Sequence, residues 1–144
     1  FIGASPGSTG GGIKTTTFFA LMQQVRAVFT KKKPGGFHRT LPGEAIDKAG
    51  VIALLSVVVV CVGTFLLCVL EPELDFVRLL FEEVSAFGTV GLSTGITPDL
   101  SVASKLVLIF TMYIGRLGAF TLFSLWIDRP DPSIRYTEEM ITIG

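Results

Sequence analysis

A glycine-rich stretch at residues 86–97 carries the groups best suited to a chemical task. It reads Ala-Phe-Gly-Thr-Val-Gly-Leu-Ser-Thr-Gly-Ile-Thr and separates two apolar segments. Backbone carbonyls can replace the hydration water of a cation, and glycine lets the backbone aim them inward. Thr-Val-Gly also occurs in ordinary turns. The position of this stretch between two apolar segments is what favours cation binding. The candidate ion filter is Thr89, Val90, Gly91 and Leu92, with the carbonyls of Thr89, Val90 and Gly91 as cation ligands.

A second candidate is Arg116, which lies inside the apolar segment 102–126. A charged side chain at membrane depth is costly and usually faces an aqueous cavity or a partner. A buried structural salt bridge is the alternative, but this segment contains no carboxylate. The pattern therefore favours an arginine that faces a polar path.

A third feature is the Gly/Ser/Thr-rich run at residues 3–17, which overlaps a predicted helix over 15–29. A nucleotide-phosphate loop would require Gly-x-x-x-x-Gly-Lys-Ser/Thr after a strand. Here Ile13 separates Gly12 from Lys14, and no strand pattern precedes the run. We interpret it as a glycine-rich break in a membrane helix, whose exposed carbonyls can meet a cation or an arginine.

Two apolar segments determine the expected fold class. Residues 49–70 contain no charge and would span about 33 Å as a helix, enough to cross a bilayer. Residues 102–126 end at Trp126, a residue suited to the membrane interface. The chain is 49% hydrophobic and only 17% charged, with a mean hydropathy of +0.64. These properties predict an all-α integral membrane protein.

Residues 74–87 mix apolar and charged side chains and are too short to span. They fit a half-helix that enters the membrane and leads into the candidate filter, because irregular backbone at that depth must line a path or be surrounded by protein. A surface amphipathic helix with an external loop is the alternative. The first interpretation predicts a helix–pore-loop–helix repeat over 49–126, with pore helix and filter at 74–97.

The charged residues predict the orientation of the chain. Residues 26–48 hold six Lys or Arg against two Asp or Glu, whereas residues 71–101 hold six Asp or Glu against one Arg. By the positive-inside rule, the first connection is cytoplasmic and the second external. We therefore expect 1–30 to be the second half of a broken transmembrane helix with an intramembrane loop, 31–48 a cytoplasmic loop and 127–144 a cytoplasmic tail.

Composition argues against several classes of protein. With 12 basic and 12 acidic residues the formal net charge is zero, so nothing indicates nucleic-acid binding. Cys61 and Cys68 would be about 10 Å apart on a helix, too far for a disulfide, and are interpreted as small buried hydrophobes. No Cys/His spacing suggests a zinc site. Because the chain opens with Phe1 inside an apolar segment, we expect it to be a piece of a longer polypeptide.

Together, these stretches resemble the Trk/Ktr/HKT superfamily of potassium and sodium transporters. Residues 3–17 are similar to the family's break in the second helix of its third repeat. Residues 85–95 are similar to its fourth-repeat filter, and residues 115–118 to its last helix. Order and spacing agree over nearly the whole chain, and the bacterial Ktr-type membrane subunit is the most similar branch.

The resemblance implies potassium uptake along a path formed by four repeats in one polypeptide. This chain would supply the end of the third repeat and all of the fourth, and thus one quarter of the filter. Gly91 matches the glycine associated with potassium preference, whereas serine in the first repeat is associated with sodium. The implied gate combines the intramembrane loop with an arginine below the filter, and it comprises Gly10, Gly11, Gly12, Lys14 and Arg116.

The resemblance also implies location and partners. We expect a multi-pass protein of the plasma membrane that forms a homodimer in the lipid bilayer and binds cytoplasmic nucleotide-binding regulatory subunits. Potassium, or sodium, would be the transported substrate, and no cofactor is expected. A membrane-embedded enzyme is one alternative, although the spans offer no paired carboxylates or Ser/His arrangement. A non-conducting membrane-anchor subunit is another, although it would not need two glycine-rich interruptions.

Overall fold

The computed structural model describes residues 1–3, 5, 10–30, 35–36, 39–40 and 42–118. Four helices dominate this part of the chain: α1 (Thr15–Thr30), α2 (Gly43–Leu70), α3 (Phe76–Gly88) and α4 (Val102–Leu117). Between α1 and α2, two-residue strands β1 (Gly35–Gly36) and β2 (Arg39–Thr40) pair antiparallel. The expected all-α class therefore holds for the helices but not for this short ladder in the predicted cytoplasmic loop. The predicted tail at 127–144 lies outside the described residues.

Helix α2 is the one described helix that is long and apolar enough to cross a membrane. Its 28 residues span about 42 Å. It begins six residues before the predicted span, after Pro42, and ends at Leu70, where Pro72 prevents continuation. Many of its large apolar side chains are uncovered, Phe65 being 67% exposed. An outer face of this kind is consistent with a membrane protein.

Helix α4 begins at a serine cap and extends over the first part of the second predicted span. The Ser101 hydroxyl accepts a hydrogen bond from the Ser104 backbone N–H, which satisfies one free donor of the first turn. The helix ends at Leu117, before Gly118 with φ 86°. The remainder of the predicted span, from residue 119 to Trp126, lies outside the described residues.

Helix α3 packs between α2 and α4 and supplies the centre of the core. One cluster joins all three helices and the loop after α3; its buried members are Leu67, Leu79, Ala86, Ile96, Leu100 and Leu108. A second cluster joins Ile13 of the N-terminal segment to Val60 of α2 and Phe87 of α3. The two clusters hold the C-terminal end of α3, where the candidate filter begins, against both long helices.

Glycine permits the closest approach in this bundle. A Cβ at Gly115 of α4 would overlap the backbone carbonyl of Phe87, so this helix pair can meet only with glycine there. The two cysteines of α2 are free; Cys68 is half-buried, but Cys61 is exposed. The prediction that both are buried is therefore wrong for Cys61, because it faces outward from the three-helix core.

Candidate functional site

The loop that follows α3 turns sharply at Thr89. This residue has φ 50° and ψ 39° and caps the helix, and it is the only described residue other than glycine with positive φ. Its N–H bonds to the carbonyl of Ala86 at 3.0 Å, and the N–H of Val90 bonds to that of Ser85 at 3.0 Å. Gly91 follows with φ 79°. Such backbone alternation is costly for a β-branched residue and is typical of functional loops.

The candidate filter residues are all on the surface of this chain. Val90 is 55% and Leu92 61% exposed, and Thr89 and Gly91 are exposed as well. A cavity of about 330 Å³ lies beside the loop, lined by Glu82, Ser85, Leu92 and Met112 among others. Because the loop is not packed solidly on this side, hydrogen bonds rather than apolar contacts must fix its shape.

One of these bonds determines the direction of a filter carbonyl. The Ser85 hydroxyl donates to the carbonyl oxygen of Leu92 at 2.5 Å. This oxygen therefore points back toward α3. Leu92 belongs to the filter predicted from the sequence but not to its predicted cation ligands, Thr89, Val90 and Gly91. The bond of its carbonyl oxygen to α3 could not be predicted from the sequence.

Glu82 anchors the second half of the loop. Its Oε1 accepts hydrogen bonds from the Ser93 hydroxyl at 2.6 Å and from the Thr94 N–H at 2.7 Å and hydroxyl at 3.1 Å. Its Oε2 accepts from the Thr97 hydroxyl at 3.1 Å. Hydrogen bonds to a charged acceptor are stronger than neutral ones, so this buried carboxylate is the main attachment of residues 93–97.

This role of Glu82 was not predicted from the sequence, where it counted only as a charge, against a spanning helix and for an external loop. A signal was present, since this acid in the middle of the short helix is followed by several hydroxyl residues. Spacing alone did not indicate that the loop folds back over the helix.

The N-terminal glycines also contact the candidate filter. The backbone N–H of Gly11 donates to the Thr89 hydroxyl oxygen at 2.8 Å, and that of Gly12 donates to the carbonyl of Gly115 at 3.2 Å. A Cβ at Gly11 would come within 2.9 Å of the Thr89 side chain, and Gly12 has φ 81°. Both positions therefore require glycine, one for close approach and the other for its backbone angle.

Residues 1–3 pair with Ile13, which follows the glycines. Ile2 and Ile13 form a parallel bridge, with the Gly3 N–H bonded to the Ile13 carbonyl at 2.7 Å and the Ile13 N–H bonded to the Phe1 carbonyl at 3.1 Å. The rings of Phe1 and Phe87 stack with centroids 5.6 Å apart. This fold presses the glycine segment against the end of α3.

The other predicted gate residues lie close by in the fold. Gly10 is exposed and adjoins Gly11, and Lys14 is exposed immediately before α1. Arg116 is exposed in the last turn of α4, one residue beyond Gly115, which binds the glycine segment through its carbonyl. The structure thus joins Gly11 to Thr89 and Gly12 to Gly115 by hydrogen bonds, and it leaves Lys14 and Arg116 exposed.

A second acid connects the end of α2 to the start of α4. Glu71, which follows α2, accepts hydrogen bonds from the Ser101 N–H at 2.7 Å and the Ser104 hydroxyl at 2.8 Å. The backbone hydrogen bond from Ser101, helped by the two serine hydroxyls, lowers the pKa of Glu71 below its ordinary value. This contact sets the start of α4 relative to the end of α2.

Resident metal binding is not indicated in the part of the chain that the structure describes. No group of three or more His, Cys, Asp or Glu side chains there could hold a metal ion.

Comparison with known proteins identifies one family and several relatives. The TrkH family profile, described as a cation transport protein, matches residues 1–134. The potassium/sodium uptake protein NtpJ of Enterococcus hirae is 40% identical over 151 residues, which covers 100% of this chain and 34% of the relative. The Ktr system potassium uptake protein B of Bacillus subtilis is 38% identical over 145 residues, which covers 100% of this chain and 32% of the relative. The protein of the same name from Vibrio alginolyticus is 39% identical over 145 residues, which covers 99% of this chain and 31% of the relative. The chain spans about a third of the length of these curated relatives.

Proposed function

Because this chain belongs to the TrkH family of cation transport proteins, we propose that it forms part of the ion path of a potassium uptake protein in the plasma membrane. A cation transporter is a membrane protein and not an enzyme, so membership excludes the membrane-enzyme alternative. The relatives named above are potassium or potassium/sodium uptake proteins. Since they are about three times longer, this chain would supply one helix–pore-loop–helix repeat out of several.

We assign the filter to the carbonyls of Thr89, Val90 and Gly91. The observation that carries this proposal is the loop itself: it leaves a short helix packed between two longer ones, turns at a left-handed threonine and remains exposed on this chain. An irregular loop at membrane depth must line a water-filled path or be surrounded by protein, and its polar groups suit the first. Leu92 is left out of the ligand set, because its carbonyl is bonded to Ser85.

We assign the gate to the glycine segment, residues 10–12, together with Lys14 and Arg116. The bonds from Gly11 to Thr89 and from Gly12 to Gly115 support this, because they hold the segment directly against the first filter residue and the arginine-bearing helix. A displacement of the segment would break both bonds and uncover the end of the filter.

Arg116 would add an electrostatic barrier to this steric one. In a narrow path of reduced dielectric constant, a potassium ion about 4 Å from an arginine is repelled by on the order of several kcal/mol unless oxygens or water compensate. The glycine segment is bonded through Gly12 to Gly115, the residue before this arginine. Its position would therefore change both the width of the path and the repulsion felt by the ion.

The same proposal includes orientation and partners. The basic composition of residues 26–48 supports a cytoplasmic loop, and residues 71–101 would face outside. We further propose a multi-pass arrangement, a homodimer of the membrane subunit, and cytoplasmic nucleotide-binding regulatory subunits that contact residues 31–48 and the tail at 127–144. Native mass spectrometry of the full-length protein in lipid nanodiscs, with and without candidate regulators, tests the assembly.

The decisive experiment compares potassium and sodium flux into liposomes that contain the full-length parent protein, for wild type, Gly91→Ser and Gly95→Ser. Gly91 and Gly95 lie in the same loop with φ 79° and 89°, and a Cβ at either position would meet open space within this chain. The two substitutions therefore impose similar backbone strain. Only Gly91 contributes a proposed filter carbonyl.

Loss of potassium preference in Gly91→Ser, with preference retained in Gly95→Ser, is the expected result. Equal loss of preference in both would point to loop strain rather than to the filter. Absence of any cation flux from folded wild-type protein, with and without regulators, would support the non-conducting anchor alternative instead.

A further inference from the structure

Glu83 is a buried acid that the proposed filter and gate do not use. Its side chain is fully buried among α2, α3 and α4. The Thr111 hydroxyl of α4 donates to its Oε1 at 2.7 Å. On the α2 side, the carboxyl group lies against the backbone of Gly63, where any Cβ would overlap it. The three helices thus enclose this carboxyl group completely.

Two buried oxygens in this region have no hydrogen-bond partner among the described residues. They are Oε2 of Glu83 and Oγ1 of Thr64. Thr64 follows Gly63 on the buried face of α2. Both atoms are inaccessible within this chain, so segments of the longer protein could reach them only if the helices separated. A buried polar atom left unpaired is destabilising, and here two of them occur beside the same stretch of α2.

Nothing charged compensates Glu83 from the helices packed against it. The buried faces of α2 and α4 carry only small, hydroxyl or aliphatic residues. The neighbouring acid, Glu82, turns its carboxylate the other way, toward Ser93, Thr94 and Thr97. The remaining titratable groups on these three helices are exposed or half-buried. They are Glu44, Asp47, Lys48, Cys61, Cys68, Arg78, Lys105, Tyr113 and Arg116.

The cost of removing an isolated carboxylate from water in such a place far exceeds that of removing a neutral acid. We propose that Glu83 is a proton-binding site between the three helices and is held as a neutral carboxylic acid. Its Oε1 accepts from Thr111, and its O–H lies on Oε2, the oxygen that receives no hydrogen bond from the described residues. A proton requires no cavity, which agrees with the close contact at Gly63.

The two adjacent acids would then differ in charge because their surroundings differ. Glu82 has four hydrogen-bond donors and is a carboxylate, while Glu83 has one donor and is neutral. This inference rests on helix packing within one repeat. It holds whether or not the filter and gate are assigned correctly.

Infrared difference spectroscopy of the full-length protein in lipid at neutral pH tests the proposal. Glu83→Gln preserves the shape of the neutral acid and should remove a C=O band of a protonated carboxyl group. Glu82→Gln is the matched control one residue away, and it should remove carboxylate intensity only. Loss of carboxylate intensity in Glu83→Gln, or a protonated band that neither variant affects, would overturn the proposal.

A second pair of variants keeps Glu83 itself and covers the case in which Glu83→Gln does not fold. The frequency of an acid C=O band depends on the hydrogen bonds of the group. Thr111→Val removes the donor to Oε1, whereas Thr64→Val removes a nearby buried hydroxyl that has no hydrogen bond to Glu83. A shift of the protonated band in Thr111→Val supports the assignment to Glu83, and the same band unchanged in both variants contradicts it.

Discussion

The backbone N–H of Gly11 donates a 2.8 Å hydrogen bond to the side-chain oxygen of Thr89, joining residues 78 positions apart. The donor belongs to the glycine segment and the acceptor to the first residue of the candidate filter. The bond thus connects the two stretches on which the family resemblance rests. It also explains why a β-branched residue occupies a left-handed position: its hydroxyl is needed where its backbone is strained.

Replacing Thr89 with valine should release the glycine segment. Valine keeps the shape of threonine but leaves the Gly11 N–H without its acceptor, at a cost of about 1–3 kcal/mol. We expect amide exchange at Gly11 to accelerate by about tenfold or more, because each 1.4 kcal/mol corresponds to a factor of ten. Hydrogen–deuterium exchange of the full-length protein in nanodiscs measures this. Thr89→Ser keeps the acceptor and should exchange like the wild type, and equal acceleration in both variants would contradict the assignment.

Removing the charge of Glu82 should loosen the second half of the loop. Glu82→Gln retains the size of the side chain but weakens the hydrogen bonds from Ser93, Thr94 and Thr97, each of which is worth about 1.5–3 kcal/mol when its acceptor is charged. If this carboxylate positions the filter, potassium-over-sodium selectivity in liposome flux should fall while the protein remains folded. Glu73→Gln, an exposed acid before α3, is the control and should leave selectivity unchanged.

The contact between α3 and α4 predicts a steric limit at Gly115. In Gly115→Ala the new methyl group would overlap the Phe87 carbonyl, and backbone cannot move aside as a flexible side chain can. Overpacking of this kind typically lowers stability by about 1–3 kcal/mol. We expect a clear fall in the melting temperature of the detergent-solubilised protein. Gly50→Ala on α2 meets open space within this chain and should be neutral or slightly stabilising. A Gly115→Ala protein as stable as wild type would show that the two helices pack differently.

Features that depend on consecutive residues were predictable from the sequence, whereas contacts between distant segments were not. The uncharged run that became α2 and the short amphipathic α3 were predictable, because hydrophobic length and periodicity are properties of consecutive residues. The start of α2 was placed six residues late, because Glu44, Asp47 and Lys48 looked like loop residues although they form the first turns of the helix. Charges at a helix end do not stop a helix.

The contacts that organise the candidate site were not predictable from pattern. Nothing in the spacing pairs Gly11 with Thr89 or Glu71 with Ser101, because these contacts depend on how separate segments pack. The roles of Glu82 and Glu83 show the same limit. As adjacent acids they look equivalent in sequence, yet one faces a hydroxyl-rich loop and the other is enclosed by three helices.

Neutralising Arg116 should raise flux if it forms the electrostatic part of the gate. Arg116→Ala removes the repulsion that an ion would feel near the end of α4, so potassium flux into liposomes should exceed the wild-type value. Arg116→Lys keeps the charge and should remain close to wild type. Deleting residues 10–12 should also give a leaky protein, because it removes the segment bonded to Thr89 and Gly115. Wild-type flux in both the alanine variant and the deletion, at normal protein levels, would remove the gating proposal.

Acidification should weaken the contact between the ends of α2 and α4. The pKa of Glu71 is lowered in the folded protein by the Ser101 N–H and the serine hydroxyls, so its ionised form is bound more tightly than in the unfolded chain. Its stabilising contribution is therefore complete above the ordinary glutamate pKa and is lost as pH falls through the lower folded value. We expect wild type to melt at a higher temperature than Glu71→Gln at neutral pH and the difference to shrink in acid. Melting curves of both proteins across that pH range, with Glu73→Gln as an exposed-acid control, measure it. A wild-type advantage that is constant with pH would mean that the Glu71 contact depends on shape and not on charge.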